Sequence, residues 1–178
     1  MKTHIALLRG INVGGHKKVP MAELRELMTN IGFHHVKTYI QTGNVIFQSK
    51  IINSTAIEGH IQKAIIAHFG FEVSVLVRTR DQLLKIFNDC PFTEEKKINS
   101  YFAVLSQTPN ADLVTKDSKK IYENEEYAIV NDGLYFYCAI GYGKAKFNLS
   151  YFEKTLQVNA TSRNYKTMVK LLEMSSEN

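Results

Sequence analysis

The order of apolar patterns in the first half of the chain constrains its fold most strongly. In chain order, the segments are strand-like at 5–9, helix-like at 21–31, strand-like at 36–40 and 45–48, helix-like at 57–69 and strand-like at 73–77. Strands are recognised by alternation or short apolar runs, and helices by apolar residues three and four positions apart. This β-α-β-β-α-β order is typical of a ferredoxin-like unit.

Residues with special backbone preferences stand at the boundaries of these segments. Pro20 suits the first turn of a helix, and Gly32 is expected to end that helix. The string Gln41-Thr42-Gly43-Asn44 has the residues of a hairpin turn. Asn53 or Ser54 is the expected N-cap of the second helix, and Gly70 its end.

The second half predicts another α+β unit. Its expected elements are a helix at 81–88, a strand at 101–106, a short helix near Pro109, two or three strands that include the pair 127–130 and 134–140, and closing helices at 146–156 and 162–174. The triplet Asn131-Asp132-Gly133 indicates a hairpin, and Ser162 is the expected cap of the last helix.

We therefore expect an α+β fold with a ferredoxin-like βαββαβ unit at residues 1–79 and a second α+β unit at residues 80–178. A degenerate repeat of the first unit is one interpretation of the second. Because no low-complexity linker separates the halves, we expect the second unit to pack on the first and the chain to end in two helices.

Composition narrows the class of protein. No apolar run approaches the roughly 20 residues that span a bilayer, and the short run at 5–8 does not suit a signal peptide. We therefore expect a cytoplasmic protein that does not enter a membrane. Cys90 and Cys138 fit no metal-ligand spacing and are expected to be reduced thiols. The sequence indicates no metal site and no particular cofactor.

Charge is unevenly distributed along a chain whose net charge is +5. Residues 1–22 and 141–170 are strongly basic, whereas residues 81–132 carry an excess of acids. If the fold brings the two ends together, they form one positive patch.

The glycine-rich loop after the first strand is the first candidate site. Gly14, Gly15 and Lys17 follow an apolar strand and precede a helix, an order that suits an anion such as phosphate. The loop nearly matches a P-loop, but its lysine is displaced and the Mg²⁺-binding hydroxyl is missing, which disfavours nucleotide hydrolysis. The alternative is that the glycines only permit a tight turn.

Further candidates come from three other segments. Gln41 and Asn44 present amides, although the alternative is a simple hairpin turn. The segment 141–146 is a second glycine–lysine cluster with Lys144 and Lys146, and the alternative is solvated lysines. Arg163 and Asn164 are expected in the first turn of a helix, where a cation is unusual and therefore suggests a ligand or a buried acid.

Three strings carry a resemblance to a known family. They are Leu8-Arg9-Gly10-Ile11-Asn12-Val13-Gly14-Gly15, Tyr39-Ile40-Gln41-Thr42-Gly43-Asn44-Val45 and Arg163-Asn164-Tyr165-Lys166-Thr167. Together they closely resemble the signatures of the DUF1697 family, a group of mostly bacterial proteins without an established activity. The resemblance implies an α+β fold with ferredoxin-like character.

The positions that match the family pattern include Arg9, Asn12, Asn44, Lys146, Arg163, Asn164 and Thr167. The chain departs from the pattern at Cys90, Ala145, Tyr165 and Lys166. A serine hydroxyl at position 145 is therefore not essential to whatever this member does.

Three classes of function follow. The favoured class is an enzyme or sensor that binds a small phosphorylated or carboxylated ligand, with no catalytic residue identified. The second is a nucleic-acid-binding module, which the basic ends favour and which the scarcity of aromatic residues on the strands of the first unit disfavours. The third is a protein-interaction module or homodimer, since the acidic middle and the basic ends are complementary in charge.

Overall fold

The computed structural model describes residues 1–117 and 121–176. The elements are β1 (Lys2–Arg9), α1 (Met21–Asn30), β2 (His34–Tyr39), β3 (Asn44–Ser49), α2 (Ser54–Phe69), β4 (Ser74–Thr79), α3 (Arg80–Asn88), α4 (Glu94–Lys97), β5 (Tyr101–Leu105), α5 (Ala111–Asp117), β6 (Glu125–Val130), β7 (Gly133–Cys138), a 3₁₀ turn (Tyr142–Lys144), α6 (Leu149–Leu156), β8 (Ala160–Asn164) and α7 (Tyr165–Met174).

These elements form an α+β fold with two four-stranded antiparallel sheets. The chain divides into a first unit of residues 1–83 and 170–178, and a second unit of residues 84–169. The first sheet has the order β2-β3-β1-β4 and the second the order β6-β7-β5-β8. The two orders are equivalent when β5 is matched to β1. The ferredoxin-like topology is confirmed in the first unit, and the second unit repeats it.

The core of the first unit lies between α1, α2 and one face of the first sheet. Ala6 and Leu8 of β1 and Phe47 of β3 belong to it. The helices contribute side chains four positions apart, which form one face of a helix; they are Leu24, Met28, Ile57, Ile61 and Ile65. The helical periodicity in the sequence therefore identified the residues that are buried.

The expected boundaries of α2 are confirmed. The Asn53 Oδ1 accepts a hydrogen bond from the Ala56 N–H at 2.9 Å, which satisfies an otherwise unpaired N–H in the first turn. Gly70 has a φ of 80° and ends the helix in the left-handed conformation that glycine adopts at little cost.

The core of the second unit lies between α6 and one face of the second sheet. It includes Ala103 of β5, Leu134 of β7, and Phe152 and Leu156 of α6. On the other face of β7, the hydroxyl of the buried Tyr135 donates a hydrogen bond to the Ile86 carbonyl of α3 at 2.7 Å. α3 therefore packs on the face opposite α6.

The last part of the second unit differs from the sequence prediction. Residues 162–164 belong to the strand β8, α7 begins at Tyr165, and Ser162 is not a helix cap. These residues form a strand because they pair with β5, in whose antiparallel register Ala103 lies opposite Ser162. The helix expected at 146–156 begins later, at Leu149, because Asn148 caps it through the Ser150 and Tyr151 N–H groups.

The loop after β1 is closed by the side chain of Asn12. Its Nδ2 donates hydrogen bonds to the Gln41 carbonyl at 2.8 Å and the Val19 carbonyl at 3.0 Å. Its Oδ1 accepts a hydrogen bond from the Val19 N–H at 2.8 Å. One amide therefore closes the loop and ties it to the turn between β2 and β3.

We predict that Asn12→Asp lowers the free energy of unfolding by about 1–3 kcal/mol, because the carboxylate cannot donate to the two carbonyl groups. Aspartate tolerates the positive φ of 55° at this position, so the change tests the lost donors rather than the backbone. Urea denaturation measures the effect. Lys18→Ala, on an exposed residue of the same loop, is the control and should change little. Equal stabilities of the two variants would contradict the role of Asn12.

His4 makes the stability of the first unit sensitive to mild acid. Its side chain is fully buried in β1 and its ring stacks on Phe47. Burial lowers the pKa of His4 below its usual 6.5, the backbone of Ile51 opposes this shift, and the charge of Lys2 adds to it. The unfolded chain therefore binds a proton more readily than the folded one, so stability falls as the pH drops below 6.5 towards the folded-state pKa.

We predict that His4→Phe removes this dependence and keeps the ring contact with Phe47. Between pH 7 and pH 5.5, the wild type should lose more unfolding free energy than the variant, with a difference in slope of at most about 1.4 kcal/mol per pH unit for one proton. Carboxylates contribute to both proteins and cancel in the difference. His34→Gln, at an exposed position, is the control. Parallel profiles of wild type and His4→Phe would contradict the prediction.

Candidate functional site

The first glycine loop forms a projecting hairpin tip. Gly14 and Gly15 have φ values of 58° and 77°, and the His16 N–H donates to the Val13 carbonyl at 3.0 Å. Two positive φ values in this arrangement are typical of a type I′ turn. Pro20 separates the tip from α1, whose first turn carries the acidic Glu23. The loop therefore lacks the P-loop arrangement, in which the glycine-rich turn runs directly into a helix.

The candidate residues of the first unit lie at one end of its sheet. Arg9 ends β1, and the Asn12 side chain bonds directly to the Gln41 backbone in the turn between β2 and β3. The buried Asn44 donates from Nδ2 to the Tyr39 carbonyl at 3.0 Å and to the Thr42 hydroxyl at 2.9 Å. The Asn12 and Asn44 amides therefore hold backbone segments in place.

Lys17 also contacts the protein backbone. Its Nζ donates to the Glu72 carbonyl at 2.6 Å, while Gln41 and the two glycines at the tip are exposed. The structure thus brings the first-unit candidates to one end of the sheet, but it uses several of their polar groups in the fold.

Arg163 and Asn164 are adjacent on β8 and lie on opposite faces of the second sheet. In the register with β5, Arg163 lies opposite Phe102 and Asn164 lies opposite Tyr101. The expectation that both residues stand in the first turn of a helix is therefore wrong. The Asn164 Oδ1 instead accepts a hydrogen bond from the Thr167 N–H at 2.9 Å, which caps the start of α7.

Arg163 is a buried cation. Its Nη1 donates to the Ser162 carbonyl at 2.8 Å, and burial lowers the pKa of its guanidinium to about 10. It therefore stays charged at neutral pH. The second glycine–lysine loop, residues 141–146, lies at the other face of the sheet, because its Tyr142 ring packs on Tyr101. Arg163 is therefore separated from this loop by the sheet.

A cavity of about 440 Å³ lies at this second loop. The residues that line it come from the start of β5, the end of β7 and the loop itself: Asn99, Tyr101, Phe136, Tyr137, Cys138, Ala139, Gly141 and Tyr142. Antiparallel pairing places Tyr101 opposite Phe136, so two aromatic side chains share one face. The rings of Tyr101 and Tyr142 stack with their centroids 3.9 Å apart.

Tyr142 combines an accessible ring with a neutral hydroxyl group. The side chain follows Gly141, is 47% exposed and precedes Lys144, which is also exposed. Burial, with a smaller contribution from Tyr101, raises the pKa of Tyr142. The hydroxyl therefore stays protonated at neutral pH and can both donate and accept a hydrogen bond.

The second loop is held at both of its ends. At its start, the Ala139 N–H donates to the Asn124 carbonyl at 3.0 Å. At its end, the Lys146 N–H donates to the carboxylate of Glu125. The Lys146 ammonium is exposed and lies 3.8 Å from Glu123, a contact that water weakens. The fold thus fixes the backbone of the loop while its lysine side chains face solvent.

Most residues of this cavity were not predicted from the sequence; they include Asn99, Tyr101, Phe136 and Cys138. One local signal was available in the sequence. Tyr142 lies between two glycines, in a segment without an apolar pattern, so its ring is not expected to belong to a hydrophobic core. The others required knowledge of which strands pair.

Within residues 1–117 and 121–176, no group of three or more histidine, cysteine, aspartate or glutamate side chains is arranged to hold a metal ion. Over the same residues, none of the helices is both long enough and apolar enough to cross a membrane.

Comparison with known proteins agrees with this fold. The chain is similar to a solved structure described as that of the conserved bacterial protein SP0830 from Streptococcus pneumoniae, with 26% sequence identity and a TM-score of 0.70. The similarity covers 97% of this chain and 98% of the other. No curated protein sequence matches the chain significantly. The sequence profile of a protein family of unknown function, DUF1697, matches residues 1–135, and the chain therefore belongs to the DUF1697 family.

Proposed function

We propose that the second unit binds a small ligand that combines a planar ring with an anionic group, such as a phosphorylated or carboxylated aromatic metabolite. The observation that carries the proposal is the half-exposed ring of Tyr142 at the edge of a cavity of about 440 Å³. Cavities that bind small molecules typically measure about 300–1,000 Å³ and combine aromatic surface with a few polar groups.

The two parts of such a ligand have different partners. A planar ring can stack against the accessible side of Tyr142, whose other side is covered by Tyr101. The Tyr142 hydroxyl and the Asn99 amide are polar groups at the same cavity. Lys144 supplies a positive charge two residues beyond Tyr142 on the same 3₁₀ turn, where an anionic substituent would extend.

The first glycine loop is the weaker candidate for the same kind of anion. Three features that suggested it, Asn12, Asn44 and Lys17, contact protein backbone groups. The second loop combines glycines, lysines and a bordering cavity.

Single-stranded nucleic acid is the second candidate ligand. An exposed aromatic ring next to the exposed Lys144 and Lys146 is a feature that stacks bases and contacts phosphates. Association with a second copy of the chain is the third candidate, motivated by the separation of basic and acidic segments. Oligonucleotide binding that weakens steeply as the salt concentration rises would favour the nucleic-acid candidate. A molecular mass in solution that rises with protein concentration would favour the dimer.

We also propose a cytoplasmic location, supported by the free thiols of Cys90 and Cys138. A thiol reagent that cannot cross membranes should leave both cysteines unlabelled in intact cells and label them after lysis. Labelling in intact cells would contradict this location.

We predict that a nucleoside phosphate or an aromatic carboxylate raises the melting temperature, and that Tyr142→Ala abolishes the shift. A ligand at 100 times its dissociation constant adds about 2.7 kcal/mol to stability, which a thermal-shift screen detects. Tyr142→Phe should keep most of the affinity because it keeps the stacking ring. Lys144→Ala should weaken binding of the anionic ligand, and Lys154→Ala, which removes the same charge from the exposed side of α6, should not.

Titration calorimetry of these variants separates the outcomes. A shift that survives Tyr142→Ala and is lost in Lys17→Ala would move the site to the first loop and overturn the proposal. A shift seen only with oligonucleotides, and lost at high salt, would favour the nucleic-acid module.

A further inference from the structure

A second cavity of the second unit lies beside the edge strand β6. Its volume is about 310 Å³, and among the residues that line it are the aromatic Phe92, Tyr122 and Tyr127 and the acidic Glu125 and Glu126. The cavity therefore joins apolar ring surface to two carboxylates that are neighbours in sequence.

Glu125 is a buried carboxylate that is only half satisfied. The side chain is 8% exposed, and one oxygen accepts a hydrogen bond from the Lys146 N–H. The other oxygen, Oε2, is buried and accepts no hydrogen bond from any residue that the structure describes. A buried carboxylate is costly unless a cation or further donors offset its charge. The Oε2 atom is therefore an acceptor at the wall of the cavity that a ligand with a donor group or a positive charge would satisfy.

The neighbouring Glu126 does not present a charge of this kind. Its carboxylate lies 2.6 Å from the Lys96 ammonium, so the two form an ion pair at the surface. This contact raises the pKa of Lys96 and keeps its ammonium charged. Of the two carboxylates at the cavity, Glu125 is therefore the one with an oxygen that has no partner among the described residues.

The aromatic side chains define which cation fits. The Tyr122 and Tyr127 rings pack edge to face with centroids 5.9 Å apart, and both line the cavity. Aromatic faces attract ammonium groups and pack against their carbon atoms. A divalent metal ion instead requires several oxygen ligands around it, and one half-satisfied carboxylate does not supply them.

We propose that this cavity binds a small organic ammonium ion, with Glu125 as its counter-charge and Tyr122 and Tyr127 packed against its carbon chain. The site is separate from the anion site proposed above, and it requires a ligand of opposite charge. A protonated alkylamine has the required combination of one positive charge and an apolar body.

The test is a titration of the full chain with butylammonium chloride, followed by two-dimensional amide NMR at constant ionic strength. We expect saturable shifts that are concentrated at residues 122–129. Glu125→Gln should weaken binding by at least about tenfold, since the counter-charge is lost. Glu126→Gln removes the same formal charge from the same cavity and is the matched control, with a smaller effect.

The Glu125→Gln variant also distinguishes a loss of amine binding from a loss of the folded structure. Glutamine keeps an oxygen that can accept from the Lys146 N–H, so a melting temperature close to that of the wild type shows that weaker binding comes from the lost carboxylate and not from a lost fold. Tyr122→Leu, which keeps the carboxylate and removes one ring, is the second variant and should also weaken binding.

Several outcomes would overturn the proposal. They are shifts that sodium chloride reproduces, wild-type affinity in both Glu125→Gln and Tyr122→Leu, and shifts that lie outside the cavity. Tyr142→Ala should leave butylammonium binding intact, so this test fails or succeeds independently of the proposed anion site.

Discussion

Neighbouring strands of an antiparallel sheet leave the sheet at opposite ends, and this constraint decides where every loop of the molecule stands within its unit. In the first unit, β1 and β2 both end where Asn12 bonds to the turn between β2 and β3. In the second unit, β7 and β8 end where β5 begins, so Phe136, Tyr101 and Asn164 meet in one row. The two glycine–lysine loops therefore occupy different positions in the repeated topology. The first follows strand one of its unit, and the second follows strand three.

Most of the first unit could be predicted because its signals are local. Apolar side chains four residues apart identified α1 and α2, and Asn53 and Gly70 marked the ends of α2. β8 could not be predicted in the same way. Its residues are all small or polar, and only pairing with β5 makes them a strand. The capping signal was present but displaced, because Asn164 caps α7 where Ser162 was expected to do so.

The candidate site was less predictable than the fold. The spacing of Gly10 to Lys17 resembles that of a phosphate-binding loop, but spacing does not distinguish such a loop from a hairpin tip. The hydrogen bond from the His16 N–H to the Val13 carbonyl, and the separation of this turn from α1 by Pro20, make that distinction. The aromatic cavity depends on residues near positions 100, 137 and 142, which only sheet pairing brings together. Local pattern thus identified the second loop but not its surroundings.

The bond between the Glu125 carboxylate and the Lys146 N–H ties the end of the second glycine–lysine loop to the edge strand β6. The carboxylate borders the cavity beside β6, and the N–H ends the loop that borders the cavity at Tyr142. A cation bound at this carboxylate would compete with the Lys146 N–H for the same acceptor group. By thermodynamic linkage, any effect of that cation on the affinity of the loop for a ligand is returned in equal measure by the ligand. One carboxylate thus borders one cavity and holds the loop beside the other, so an occupant of either cavity would act on a group on which the other also depends.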